Sequence, residues 1–559
     1  MLRFTMAVAL VASASFTQGY VDRLSRTASD LPANADSTAA ALSGDGRVAA
    51  FVSSATNLVP GDTNGRRDVF VRVRMTGVVE RVSISTSGVQ QDLDAVGAPA
   101  VSGDGRYVIF SSASNLLVAS DTNGQADVFL RDRLLGATVR VSVTNSSGEA
   151  AGGSVVAGIS SDGRHVLFQS NANNLATDDT NGVDDLFLRD RLMGTTTRVS
   201  VGSGGVQSDM AAQSGALSAN GRFVAWQTMT ALFDPGDQNS AFDVYVRDLE
   251  TGVTTRASQP AFGGTSNGHS VHPSVANDGT VAFRTAATSL FTGDTNGLDD
   301  IVVAYLGVAG CTPVSVASDD SLSNGPNSNP SISADGLFVA FASVAANLCD
   351  GDTNGIPDVF VRDLMALETL RVSGDVAGAL PQAPTVCTAY FGCLPLQLAP
   401  RIASGGGSVA FEHIAQNLTP VFDVDYIRDV FAVDLFPRVR RLPGPSGVAS
   451  VVIEAPADVG RGFVGGLSLS YRPGITLGAR VIPLGDDGLL SLTLGSADVP
   501  WIGFSGVVPP TGVAFASFPV PNDPWLSGVS VYFSFATLGA ADPFGVHSIA
   551  NTMPVALGM

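Results

Sequence analysis

Oxygen-bearing side chains recur in this chain at a spacing suited to holding a hard cation. In Asp62-Thr63-Asn64-Gly65-Arg66-Arg67-Asp68 the Asp and Asn oxygens alternate around a Gly turn, the way calcium loops present their ligands. Asp62, Asn64 and Asp68 would supply side-chain oxygens, with a backbone carbonyl near Arg66 as a further ligand. The same triplet returns as Asp121, Asn123, Asp127, then Asp179, Asn181, Asp185, then Asp237, Asn239, Asp243. Further copies are Asp294, Asn296, Asp300 and Asp352, Asn354, Asp358, and the most degenerate comprises Asp423, Asp425 and Asp429. Calcium takes roughly six to eight oxygens and the EF-hand loop ends in a bidentate Glu; each phrase here is poorer in acids and has no such Glu. The competing reading is structural, because Asp and Asn bond their own backbone in turns and Gly follows at positive φ. In the fourth copy Ser240 replaces the Gly while the three oxygen side chains persist, an observation on the side of metal.

Other chemistry is thin, and no catalytic residue is assigned. His269-Ser270-Val271-His272 has neither the Glu nor the helical context of a zinc protease. Gly503-Phe504-Ser505-Gly506 is not a nucleophile elbow, and no α/β-hydrolase segment follows the repeats. Arg131-Asp132, Arg189-Asp190, Arg247-Asp248 and Arg362-Asp363 recur at one place in their units, where the fifth has Ala304-Tyr305, and repetition of that kind reads as contacts between neighbouring units.

The elements that position the phrase follow from its period. The first six copies start 59, 58, 58, 57 and 58 residues apart, and the seventh follows after 71. A fixed period means stacked supersecondary units. In the second unit an Asp104-Gly105 turn separates two β-rich runs, and Asp127 to Arg131 and Thr138 to Ser142 supply two more. Asp-Gly between β runs is a hairpin signal, so each unit is four short antiparallel strands, a to d. Seven such sheets predict an all-β, seven-bladed β-propeller. All seven phrases then lie in b–c loops on one rim, where binding concentrates. Val21 to Ser25 looks like an orphan outer strand and Arg438 to Leu442 like another; Val21 to Ser25 is expected to close the ring.

Ser102-Gly103-Asp104-Gly105-Arg106-Tyr107-Val108-Ile109-Phe110-Ser111, Ser160 to Phe168 and Ser333 to Phe341 resemble the WD40-like propeller repeat of the TolB type. The resemblance covers roughly residues 20–443 and implies the fold, not a ligand. The units here exceed the usual period of about 40–45 residues, with the excess in the b–c loop. Leu442 to Gly447 reads as a linker, assigned to 444–447. Residues 448–559 show β-rich runs divided by Gly and Pro, consistent with a small β-sandwich. There, Phe518 to Gly528 resembles a module at the C-terminus of exported bacterial proteins.

Composition bounds the partners. The chain has 559 residues, a net charge of −20 and 31 basic residues, all arginine; such acidity disfavours nucleic acid. Residues 1–19 read as a signal peptide, which places the protein outside the cell or in the periplasm or envelope, and no membrane span is expected. Cys387 and Cys393 suit a local disulfide, while Cys311 and Cys349 are positioned to pair across neighbouring units. The expected function is an exported, non-catalytic binding or scaffold propeller that recognises a protein or polysaccharide on its acidic loop rim, stabilised by calcium. The alternative is an exported hydrolase or lyase acting on a polymer in the channel, signalled by a cluster of non-repeated acid, base and Arg residues at the channel mouth.

Overall fold

The computed structural model describes residues 21–374, 398–414, 418 and 427–435, together with the backbone of strands between 438 and 557. The expected leader at 1–19, Cys387 and Cys393, Asp423 and Asp425, the expected linker at 444–447 and the Leu489 to Leu494 run lie outside the described residues.

Seven four-stranded antiparallel sheets make the propeller. In blade two, strand a is Ala95–Val101, b is Tyr107–Ser112, c is Asp127–Asp132 and d is Ala137–Arg140. The Asp-Gly hairpin forms because Ser102 Oγ donates to Asp104 Oδ1 at 2.6 Å and accepts from the Tyr107 N–H at 2.9 Å. Gly105 then turns at φ +73°, where a Cβ would lie 2.5 Å from Val48 of blade one; glycine there serves both the turn and the approach of the next blade.

Ring closure follows the expectation. Val21–Arg23 pairs antiparallel with Asp429–Asp434 and completes the sheet begun by Arg401–Ile402 and Ser408–His413. The first strand of the chain thus covers the edge that the last blade would expose. Arg438–Leu442 instead pairs with Val448–Glu454.

The core lies between blades. Strands b and c stack an aromatic pair in most of them, such as Phe51 with Phe70 and Phe110 with Phe129, at centroid separations of 6.0 and 5.8 Å. Phe110 and Phe129 join one buried cluster with Val48, Val69 and Val71 of the neighbouring blade. Each buried Phe is worth about 1.5–3 kcal/mol, and half of its partners belong to the next sheet, so no blade holds its own core. Cys311 and Cys349 correct the expected cross-pairing. Both are free thiols, and they pack against separate clusters, one around Phe283 and the other around Phe341. Burial pushes the Cys311 thiol up to about 12 and that of Cys349 to about 11.

Val21–Val433 forms one compact unit, and the chain from Asp434 onward belongs to a second. There Val448–Glu454 also pairs with Val513–Pro519, and Gly462–Ser468 lies between Ser505–Val507 and Val529–Leu538. The expected β-sandwich at 448–559 lies largely outside the described residues. The described residues contain one short 3-10 turn, Ser203–Gly205, and no helix long and apolar enough to cross a membrane.

Candidate functional site

The recurring phrase folds into a polar knot at the head of strand c. Its last Asp is the first residue of that strand and is buried in every blade, as Asp68, Asp127, Asp185, Asp243, Asp300, Asp358 and Asp429. A serine after strand d donates to its Oδ1: Ser83 to Asp68 at 2.6 Å, Ser142 to Asp127 at 2.5 Å, Ser200 to Asp185 at 2.5 Å and Ser315 to Asp300 at 2.8 Å. Ser258, Ser373 and Ser25 do the same for Asp243, Asp358 and Asp429. The middle Asn is an Asx turn. Asn64 Oδ1 accepts the Arg66 N–H at 3.1 Å while its Nδ2 donates to Asp68 Oδ2 at 2.8 Å. Asn123, Asn181, Asn239 and Asn354 repeat both contacts.

A guanidinium sits among the acids. Arg81 Nη1 lies 2.9 Å from Asp62 Oδ1 and 3.4 Å from Asp68 Oδ2. Arg140 Nη1 lies 2.5 Å from Glu149, 3.1 Å from Asp127 and 3.5 Å from Asp121. Arg198 meets Asp179 at 3.3 Å and Asp185 at 3.6 Å, and Arg256 meets Asp237 at 3.9 Å. Sheet register explains the recurrence: Arg81, Arg140, Arg198, Arg256, Arg371 and Arg23 each stand opposite the aromatic residue of strand c. Asp121, Asp127 and Glu149 bring ligand oxygens within 4.8 Å of one another, an acidic cluster of metal-binding type with Arg140 inside it.

Titration reflects the same competition. Burial pushes Asp121 and Asp358 up to about 6 and raises Asp68 and Asp127 against the pull of their serine hydrogen bonds. Glu149 is the opposite case: burial opposes its ionisation, yet hydrogen bonds from Thr122 and Arg140 hold it down at about 2. The first residues of the other phrases, Asp179, Asp237 and Asp352, are also buried, while Asp294 is half-buried. The repeated acids are therefore turned into the blades rather than displayed on the rim.

The arginines of the Arg-Asp pairs at the end of strand c bridge blades, as repetition suggested, while the aspartates act within their own blade. Arg131 Nη1 donates to the Ser85 carbonyl of the preceding blade at 3.3 Å, and Arg362 to Ala317 at 3.0 Å. Asp132 caps the c–d turn through the Leu134 and Leu135 N–H groups and takes Arg106 from the a–b hairpin at 2.7 Å.

Chemistry that differs from blade to blade lies around the channel. Strand a of each blade faces a cavity of about 510 Å³ on the axis. A bulge interrupts strand a in the first six blades, and Ala39, Ser214, His272 and Asn329 adopt φ of 52–58° there. Such backbone is uncommon outside glycine and collects at functional sites. The next-to-last residue of strand b reads Val52, Ser111, Gln169, Gln227, Arg284, Ala342 and Glu412 around the ring, seven positions with almost no repetition. These side chains satisfy the bulges: Gln227 Oε1 accepts the His272 N–H at 2.8 Å, and Glu412 Oε1 accepts the Ala39 N–H at 2.6 Å.

Arg401 occupies the register held by Ala41 in blade one and Ser331 in blade six, and with His272 it lines the cavity. Partial desolvation inside the channel, where His272 still meets solvent, and then the charges of Arg284 and Arg401 hold it below the ordinary imidazole range. Burial raises Glu412, against the Ala39 N–H and the positive fields of Arg428, Arg401 and Arg67. Arg428 stands 3.6 Å from Glu412, and Arg284 stands 3.5 Å from Asp299. The phrase-centred reading missed these residues. Their signal was present as the position where otherwise alike units disagree, but it appears only once strand b is aligned across all seven.

No family model matches the sequence, and no curated protein matches it. Among solved structures, it is similar to oligogalacturonate lyase from Vibrio parahaemolyticus at 12% identity and TM-score 0.44, covering 76% of this chain and 92% of that one. It is also similar to the β-propeller domain of the Trilobed protease from Pyrococcus furiosus, at 10% identity and TM-score 0.40 over 72% and 94%. A putative TolB from Agrobacterium tumefaciens aligns at 18% identity and TM-score 0.32 over 53% and 84%. At these identities and scores none of them lends an activity, ligand or partner to this chain.

Proposed function

We propose that the chain is an exported binding propeller that takes an anionic stretch of a polysaccharide or protein at the channel mouth on its loop rim. The observation that carries this reading is a pair of arginines found once each at the channel, Arg401, which lines the cavity, and Arg284, whose charge, after desolvation, joins that of Arg401 in keeping His272 neutral, on a chain of net charge −20. A local positive field within an acidic body focuses anions onto one spot, and a guanidinium engages carboxylates in two parallel hydrogen bonds. Export rests on the leader at 1–19. Calcium belongs to the same reading as a stabilising ion, confined to a loop that has no arginine of its own.

The test is calorimetric titration with alginate oligomers, poly-glutamate and neutral dextran at low and high salt. Binding of a polyanion that weakens with salt supports the proposal; equal binding of dextran, or binding of none, defeats it. A second reading, cleavage of the bound polymer, draws on the grouping of His272 and Glu412 with Arg401. Product chain lengths after incubation with wild type and His272→Ala decide it, since a binding protein leaves the polymer intact.

A further inference from the structure

Blade five departs from blades one to three at three positions of the same knot. Strand c carries Val302 where other blades have Phe or Tyr, and Pro313 stands opposite it in place of the arginine. Leu322 fills the position from which Gln90 and Glu149 reach their phrases. The cation of the knot is therefore missing, and so is its polar neighbour.

The oxygens remain. Asp300 is fully buried and Ser315 still donates to its Oδ1, while Oδ2 has no hydrogen-bond partner. In blades one to three that same oxygen faces the guanidinium at 3.4, 3.1 and 3.6 Å. Asp294 Oδ1 is likewise buried without a partner, and its charge reaches Asp300. The arginines of those blades also donate to the carbonyl preceding the phrase, Gly61 at 3.5 Å, Ser120 at 3.0 Å and Asp178 at 3.1 Å. Its counterpart in blade five is Gly293.

A buried carboxylate with an unpartnered oxygen beside a second carboxylate is costly without a cation, and carboxylate and carbonyl oxygens are the ligands hard cations use. Gly293 and Gly297 are exposed and Asp294 is half-buried, which leaves the site open to an ion and its remaining waters. We infer that blade five binds one divalent cation of the calcium class through Asp294, Asp300 and the Gly293 carbonyl, where the other blades hold an arginine. The inference is independent of the ligand reading at the mouth, because polyanion affinity measured in chelator reports on that alone.

The experiment strips the full chain with chelator and titrates it calorimetrically with calcium, with magnesium in a parallel arm. The expected result is one calcium per chain, bound at least tenfold more weakly by Asp300→Asn and not bound by Pro313→Arg, which supplies the missing guanidinium. In chelator, Pro313→Arg should melt above wild type. Asp294→Asn, at the half-buried position, gives a second variant should Pro313→Arg not fold, and it too should lose the ion. No binding at millimolar calcium, several equivalent ions per chain, or binding untouched by both Pro313→Arg and Asp294→Asn each overturns the inference.

Discussion

Replacing Arg140 by Met should destabilise the propeller strongly at pH 7.5, and added calcium should restore part of the loss. The Arg140 side chain is 6% exposed and contacts Glu149, Asp127 and Asp121 within 3.5 Å, with a further hydrogen bond to the Ser120 carbonyl at 3.0 Å. Removing one partner of a buried ion pair costs about 3–5 kcal/mol, because the other is left charged and unpaired. With about 2.1 cal/mol/K of unfolding entropy per residue over Val21–Val433, that is a fall in Tm of roughly 3–6 °C if the unit unfolds together. Methionine keeps much of the stem volume, so packing contributes little to the difference.

The variant also creates a loop like that of blade five, but with three acids whose oxygens lie within 4.8 Å of one another. An ion that binds only the native state raises stability by mass action, so millimolar calcium should raise the variant's Tm. The deficit should shrink towards pH 5, since carboxylates without the guanidinium have raised folded-state values and their stability is lost only as pH rises through them. Differential scanning calorimetry with calcium and with chelator reads both effects. A fall below about 1 °C, or a variant indifferent to calcium, would refute the view that the guanidinium stands where a cation otherwise would.

Wild-type Tm should rise as pH falls from 7.5 to 5. Asp121 and Asp358, pushed up to about 6, contribute stability that is full below their unfolded value near 4 and lost as pH rises through 6. Below about pH 4 the trend reverses, because Asp190 and Asp248, held low by Arg164 and Arg222, lose their contribution as they protonate; a steady decline from pH 7.5 to 5 in a buffer series at constant ionic strength contradicts this. Ser142→Ala should cost about 1–3 kcal/mol by leaving Asp127 Oδ1 and the Val128 N–H short of a partner, checked by urea unfolding. Deleting residues 21–25 bares the edge of Asp429–Asp434 and should yield a less stable, self-associating propeller; unchanged Tm and sedimentation would show that the strand is not a closure.

The fold was legible because the period, the Asp-Gly hairpin and the β-rich runs are local properties written seven times. Closure was legible too, since Val21-Asp22-Arg23 carries the outer-strand pattern of Val79-Glu80-Arg81. The role of the phrase was only half legible. Its Asx turn follows from Asp, Asn and Gly in sequence, but the arginine among the acids lies on strand d, 13 residues after the last Asp in the case of Arg81. Its position depends on sheet register, which no short window reveals. Cysteine pairing failed for a related reason: Cys311 and Cys349 lie in neighbouring units, but each packs into a different inter-blade core. The channel mouth stayed hidden because Arg284, Glu412 and Arg401 look like ordinary strand residues until the blades are superposed.

Under the proposed function, the units hold the ring together through what they share and bind through what they do not. The most direct measurement compares polyanion affinity in Arg401→Ala, at the mouth, with that in Arg106→Ala, on the opposite rim where it pairs with Asp132. The expected result is at least a tenfold loss for Arg401→Ala with an unchanged Tm, and no change in affinity for Arg106→Ala. Equal losses in both variants, or none in Arg401→Ala, would contradict it.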